Sequence, residues 1–287
     1  MKRRVVLTDV DNTLFSWIDY FGSCFRALVH AVAREGKFAE DELYDSFQLV
    51  FQNEGTVEYK RAIQENLLIK QMEPEQRHRL AYIGWIAFSQ AQKRHLRPYP
   101  NVIPTLRHLR NDGVYIVAVT NSGGLQAIHR LRQLGLGKLL DGLIAWDHDV
   151  AGGVETGGDY HAKVHARLAR SGLPWAITLP HDKLKPNVEA YRRALSHLGA
   201  ASPSIWIIGD SLEKDLSPAS ELGAKSVWAR YGHQFEEKNF RTLVRITHWS
   251  PERIRATYDT SVLTPDYVAE DFSALLNIVG QQQTALF

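Results

Sequence analysis

Two carboxylates one residue apart, Asp9 and Asp11, stand where the apolar run Val5-Val6-Leu7 gives way to polar residues. Carboxylates this close repel each other, so the pair calls for a cation, a shared proton, or both. The chain repeats the arrangement elsewhere. Thr120-Asn121-Ser122 follows the run Tyr115-Ile116-Val117-Ala118-Val119, and Gly209-Asp210-Ser211 follows Ser204-Ile205-Trp206-Ile207-Ile208, with Asp215 further on. Between these two lies Lys183-Leu184-Lys185-Pro186. Taken singly, each group has an ordinary structural use: Asp210, Thr120 and Ser122 as helix caps, Lys185 as a solvated lysine. Taken together, acids, a hydroxyl and a lysine at the ends of apolar strands converge on one small volume.

A strand–helix alternation positions them. The β-branched start of the chain suits a strand buried on both faces, as in a parallel sheet, and ligands of such sheets sit beyond the carboxyl ends of the strands. Residues 115–119, 142–146, 204–208, 225–228 and 267–269 read as further strands. Helices are expected between them: one from Asn101 carrying Val102, Leu106 and Leu109, one with Ile128, Leu131 and Leu134, one opening at Pro186, one from Asp210 to Leu222, and a closing helix with Phe272, Leu275, Leu276 and Val279. This pattern predicts an α/β fold with a doubly wound, mainly parallel, Rossmann-like sheet. Residues 15–98 interrupt it with helical stripes only: Ile18, Phe21, Phe25, Leu28, Val29 and Val32 before Gly36, then Leu43, Phe47, Val50 and Phe51, then Leu80, Ile83 and Ala87 after Pro74. The expected organisation is a discontinuous core (1–14 and 99–287) around a helical insertion (15–98), with candidate insertions at 150–182 and 232–262.

Composition sets the outer bounds. The chain has 287 residues, 44% hydrophobic and 23% charged, with a net charge of +2, so nothing global argues for a nucleic-acid or anionic-membrane partner. One cysteine, Cys24, excludes an internal disulfide and a cysteine-built metal site, and its apolar helical position marks it as a small buried hydrophobe. The basic start is followed by too short an apolar stretch for a signal peptide, and no run approaches a membrane span; a cytoplasmic protein is expected. Asp147-His148-Asp149 with His161 and His165 is read as chance proximity of histidines, not a transition-metal site. Lys238, Arg241, Arg245, Arg253 and Arg255 around Trp249 are read as a solvated face, and Trp17, Tyr20 and Phe21 as core of the helical insertion.

The ordered set of motifs resembles the haloacid dehalogenase (HAD) superfamily of Mg²⁺-dependent phosphotransferases. The matching residues are the Asp-x-Asp-x-Thr-Leu run from Asp9 to Leu14, the strand-end Thr120-Asn121, Lys185-Pro186, and Gly-Asp-Ser-x-x-x-Asp from Gly209 to Asp215. The resemblance implies Asp9 as a nucleophile that forms an aspartyl-phosphate, and Asp11 as the acid that protonates the leaving oxygen and then activates water. It implies Mg²⁺ on Asp9, the Asp11 carbonyl and Asp210, with Asp215 supporting that shell or Lys185. Lys185, Thr120 and Asn121 would bind phosphoryl oxygens. Family members that cleave carbon–halogen bonds lack an acid at the position of Asp11, so its presence implies phosphoester chemistry. The resemblance further implies that 15–98 is a cap. Val188 departs from a proline common there, and Lys183 competes with Lys185, which is favoured because it precedes the proline. The expectation is a phosphomonoester hydrolase acting on a small phosphorylated metabolite. The alternatives are a phosphomutase with the same intermediate and a phospho-acceptor signalling module.

Overall fold

The computed structural model describes residues 3–59, 61–147, 157–199, 204–252, 254 and 263–280. Its centre is a seven-stranded, wholly parallel sheet in the order β4-β3-β2-β1-β5-β6-β7. The strands are β1 (Arg4–Thr8), β2 (Tyr115–Gly123), β3 (Gly142–Trp146), β4 (Ala176–Leu179), β5 (Ser204–Gly209), β6 (Lys225–Ala229) and β7 (Tyr267–Ala269). Alternate residues of the central strands feed two separate cores. Val6, Ile116, Ala118, Leu143, Trp206 and Ile208 face one helical layer; Val5, Leu7, Val117, Ile144, Ile205 and Ile207 face the other. Burial of both faces explains why these strands read as unbroken apolar runs.

The chain builds the sheet outward from β1 to β4 on one side, then crosses to β5 on the other. The topological switch therefore falls at β1, where an open α/β sheet leaves a crevice beyond its strand ends. Register fixes what gathers there. Thr8 lies level with Ala118 of β2 and Ile208 of β5, so Asp9, Thr120 and Asp210 all emerge within two residues of the same line.

Between β1 and β2 come the helices α1 (Trp17–Gly36), α2 (Glu40–Glu54), α3 (Ala62–Glu65), α4 (Leu67–Lys70), α5 (Pro74–His95) and α6 (Val102–Asn111). Ser16 caps α1, accepting from Asp19 N at 3.1 Å while Asp19 Oδ2 accepts from Ser16 Oγ at 2.8 Å, a reciprocal start worth about 1 kcal/mol. The aromatic rings of Phe21, Phe25, Phe47 and Phe51 pack together in this block, Phe21 stacked on Phe25 and Phe47 on Phe51, with Phe25 and Phe47 edge to face. Where α5 crosses α1, Gly84 permits close approach, since a Cβ there would lie 2.9 Å from Val32 and 2.6 Å from Ile63. Phe15 and Pro98 form a β-bridge, and Tyr99 N donates to Leu14 O at 2.9 Å, so the two chain passages into the block run side by side.

The remaining helices are α7 (Gly124–Gln133), α8 (Gly157–Leu168), α9 (Glu189–Leu198), α10 (Glu237–Ile246) and α11 (Ala274–Gly280). Several expectations shift. Within 150–182 the sheet gains its edge strand β4, preceded by α8. The segment 232–262 supplies α10, which leaves the sheet to pack on α1 and α2. Arg245 binds Asp45 at 2.9 Å and Asp41 at 2.5 Å and lies over the Tyr44 ring, so on this solvated face it also bridges α10 to α2. Arg241 does pair locally with Glu237, at 2.8 Å. Arg253 and Arg255 lie outside the described residues. Helix α9 starts at Glu189, not Pro186, which sits in a cis Lys185–Pro186 peptide. No regular helix follows Asp210: a wide turn over Leu212–Leu216 leads into a 3₁₀ turn over Ser217–Ala219. Asn101 precedes α6 without a side-chain cap bond, at φ 66°. Among the described residues no helix is long and apolar enough to cross a membrane.

Candidate active site

Beyond the end of β1 the backbone still follows the sheet, with Asp9 N donating to Ile208 O at 2.8 Å. That bond sets Asp9 beside the end of β5. Lys185 Nζ reaches Asp9 Oδ1 in one direction and Asp215 Oδ1, 2.5 Å away, in the other. All three side chains are almost fully buried. Ligand atoms of Asp9, Asp210 and Asp215 lie within 4.8 Å of one another. Asp215 reaches the cluster because the chain turns back after β5: its Oδ2 accepts from Ser211 N at 2.9 Å. Gly209 makes room, since a Cβ there would sit 2.3 Å from Asp215 Cβ. Tyr191 of α9 donates to the Asp215 carbonyl at 3.0 Å. Trp228 Nε1 and His233 Nε2 meet the Asp210 carbonyl at 2.9 and 3.0 Å and hold that loop.

Electrostatics show what the cluster lacks. Burial pushes the Asp9 carboxyl up to about 7, Lys185 pulls back, and Asp215 and Asp11 push further up. Burial also raises Asp210 well above the carboxylate range, reinforced by Asp215 and Asp9. Burial alone would lower Lys185; Asp215 and Asp9 outweigh it and keep the ammonium charged. The raised values mean that the acids are driven toward their neutral forms unless a cation joins them; fully ionised, three carboxylates against one ammonium would carry two negative charges, the charge of one divalent cation. Oxygen donors of this kind suit a hard ion such as Mg²⁺. The residues present therefore fit a divalent metal.

Asp11 lies on the other side of Asp9. Its Oδ2 accepts from Ser122 Oγ at 2.5 Å, and its Oδ1 stands 3.5 Å from Arg130 Nη1. Thr120 is buried in β2, two residues past the last pairing with β1, its hydroxyl accepting from Ser122 N at 3.1 Å. Asn121 clasps the lysine loop: Nδ2 donates to Lys185 O at 2.8 Å and Oδ1 accepts from Lys185 N at 3.1 Å. Its side chain thus positions Lys185. Lys183 is half exposed and pairs with Asp182 at 3.7 Å. Of the two lysines, Lys185 is the one in the cluster.

Sequence reasoning missed Ser122 as a partner of Asp11, and it missed Arg130 and Glu58. Arg130 left a trace, because it interrupts the apolar stripe formed by Ala127 and Leu131 of α7 and Leu134 just beyond it, at a core position. Glu58, between α2 and α3, left none. Trp17 is only partly buried and donates from Nε1 to Glu58 Oε1 at 3.0 Å, while Tyr20 and Phe21 lie in the core of the helical block. His161 stands 3.8 Å from Asp147 with both side chains well exposed, and His148 and Asp149 lie outside the described residues. Cys24 is a buried free thiol, pushed up to about 12 by burial.

Two curated relatives are similar over most of the chain. The glyceraldehyde 3-phosphate phosphatase of Methanopyrus kandleri is 25% identical over 80% of this chain and 84% of its own length. That of Methanocaldococcus jannaschii is 21% identical over 77% and 82%. Among solved structures, a 2-haloacid dehalogenase from Pseudomonas syringae pv. Tomato DC3000 superposes with a TM-score of 0.56 at 16% identity, covering 98% of this chain and 100% of that one, which shows a shared fold. A second family description, of HAD-like hydrolases, matches residues 184–275. The haloacid dehalogenase-like hydrolase description matches residues 3–223, spanning all the strand ends that carry the acids, the hydroxyl and the lysine, and the chain belongs to that family.

Proposed function

We infer that the chain is a Mg²⁺-dependent phosphomonoester hydrolase that works through phospho-Asp9 on a small phosphorylated metabolite. The single observation that carries this reading is the Asp9–Lys185–Asp215–Asp210 cluster, three buried or half-buried carboxylates around one ammonium, beside an acid held separately by Ser122. Family membership and the two phosphatase relatives support it. The single buried thiol is in keeping with a cytoplasmic setting.

Lys185 binds one Asp9 oxygen, which leaves the other to attack phosphorus. As the new O–P bond forms, the ester O–P bond breaks, and Asp11 passes its proton to the leaving oxygen. Asp11, now a carboxylate, takes a proton from the water that attacks phospho-Asp9, restoring both acids. Thr120, the Asn121 backbone and Lys185 hold the phosphoryl oxygens. Asp9, Asp210 and the Asp11 carbonyl would hold the metal, with Asp215 behind them steadying Lys185. When bound, that ion supplies the positive charge that lets a carboxylate approach a phosphate dianion. In this reading residues 15–98 act as a cap over a core of 1–14 and 99–287, excluding water from the site.

The test is p-nitrophenyl phosphate hydrolysis in Mg²⁺ and in EDTA, with Asp9→Asn beside the unaltered protein. Phosphate release should need Mg²⁺ and fall by about a thousandfold or more in the variant, the scale of losing a nucleophile. Release that survives Asp9→Asn overturns the reading.

A further inference from the structure

Beside Asp11 the wall of the site is charged, and its charges come from both parts of the molecule. Arg130 of α7 has a side chain only 3% exposed, with Nη1 at 2.7 Å from Glu58 Oε1 and 3.5 Å from Asp11 Oδ1. Glu58 belongs to the helical block, and its Oε1 also accepts from Trp17 Nε1 at 3.0 Å. The two carboxylates keep 17% (Glu58) and 21% (Asp11) of their side chains exposed. The guanidinium between them is the most buried of the three, so the two acids are the groups an incoming leaving group meets first. Arg130 is answered charge for charge by Glu58, and Asp11 enters the encounter carrying the proton it gives the leaving oxygen.

We propose that the Glu58–Arg130 pair selects leaving groups by charge, admitting phosphomonoesters of neutral hydroxy or carbonyl compounds and rejecting those whose carbon part carries a carboxylate. The proposal deepens the phosphomonoesterase reading and rests on it.

The argument is one of unpaired charge. With Asp11 holding the proton it gives up and Arg130 already matched by Glu58, an anionic leaving group adds a negative charge that no free positive one answers. Nearly buried, that guanidinium has little solvent to screen the imbalance. A hydroxyl or carbonyl carries no such penalty, and a hydroxyl can donate to Glu58. Arg130 alone would suit a substrate carboxylate well, since a guanidinium pairs readily with that group. Glu58 takes the place on Arg130 that such a carboxylate would need. It does so from the helical block, the part of the chain that closes this side of the site.

The test compares two substrates of nearly equal size, glycerol 3-phosphate and 3-phosphoglycerate, which differ by a hydroxymethyl against a carboxylate. The ratio of their kcat/KM values is taken within each protein sample, so the folded fraction cancels. The unaltered protein should prefer the glycerol ester by about tenfold or more, the scale of one unfavourable charge contact. Glu58→Gln keeps an acceptor for Trp17 and should cut that ratio by about tenfold, mainly through tighter binding of the carboxylate-bearing ester. Arg130→Gln leaves Glu58 unneutralised and should raise the ratio. A pair that only fastened the helical block to the core would alter both substrates together. Equal or reversed preference in the unaltered protein overturns the inference, as does a ratio unmoved by Glu58→Gln. Failure to hydrolyse either ester, or p-nitrophenyl phosphate, removes the phosphatase reading itself and the inference with it.

Discussion

Gly209 stands one residue before the acid that ends β5, and its missing side chain is what lets Asp215 fold back against the strand. A Cβ would lie 2.4 Å from the Asp215 carboxyl carbon as well as 2.3 Å from its Cβ, and Asp215 is held from three directions by Lys185, Ser211 and Tyr191. The neighbour cannot yield without losing Lys185. Gly209→Ala should therefore lower stability by about 1–3 kcal/mol, the usual cost of overpacking. It should also depress kcat more than KM, because the displaced group orients the lysine and not the substrate. Urea unfolding and steady-state kinetics on the same sample check both. Arg130 gives a different lesson at this scale. The 3.6-residue stripe of α7 marks its position as core, and an arginine there signals a buried anion before any coordinate is seen. Glu58, its partner, lies in a connecting segment without periodicity, so nothing in the chain pointed to it.

Elements differ in how plainly the sequence declared them. β1, β2 and β5 are buried on both faces and read as apolar runs, and their register brought Asp9, Thr120 and Asp210 to one edge as their spacing predicted. β4 was not legible: it has four residues, three of them only half buried, and an edge strand needs no strong apolar signal. The turns after Asp210 misled for another reason. Local helical spacing there yields to a tertiary demand, since Asp215 must reach both Ser211 N and Lys185. Pro218, without an N–H, suits the broken pattern. α10 was missed because its partners are distant in the chain. Asn239, buried on α10, donates to Asp19 Oδ1 at 2.8 Å and accepts from Ser23 Oγ at 3.2 Å and from Arg26, all on α1. A Cβ on Gly22 would press within 2.9 Å of it. Asn239→Ala strands these groups and should cost about 1–3 kcal/mol in urea unfolding, with KM for p-nitrophenyl phosphate rising as α10 loosens from α1.

At the scale of the whole molecule, the acid cluster makes the metal-free fold sensitive to pH. Asp9 titrates near 7 in the fold against an ordinary 3.8, so the folded chain holds that proton more tightly than the unfolded one. Its contribution to stability is full below pH 3.8 and is lost as pH rises through about 7. Asp210, also raised, acts in the same direction. In EDTA, melting temperature should therefore decline between pH 5 and 8 more steeply than in Asp9→Asn. Mg²⁺ competes with those protons, so its stabilising shift should be larger at pH 8 than at pH 5. Equal Mg²⁺ shifts at the two pH values would contradict a metal held by these carboxylates.

The paired passages at Phe15 and Pro98 give the helical block the look of a module that evolution could exchange by cutting at two adjacent points. Helix α10 removes that freedom. Its buried residues Leu243 and Ile246 share the block's own apolar core, although they are strung between β6 and β7, far along the chain. A transplanted block would arrive without its third wall and leave bare hydrocarbon behind. Substitution within the block is therefore expected to be the easier route of change, while recombination must carry both stretches of chain at once.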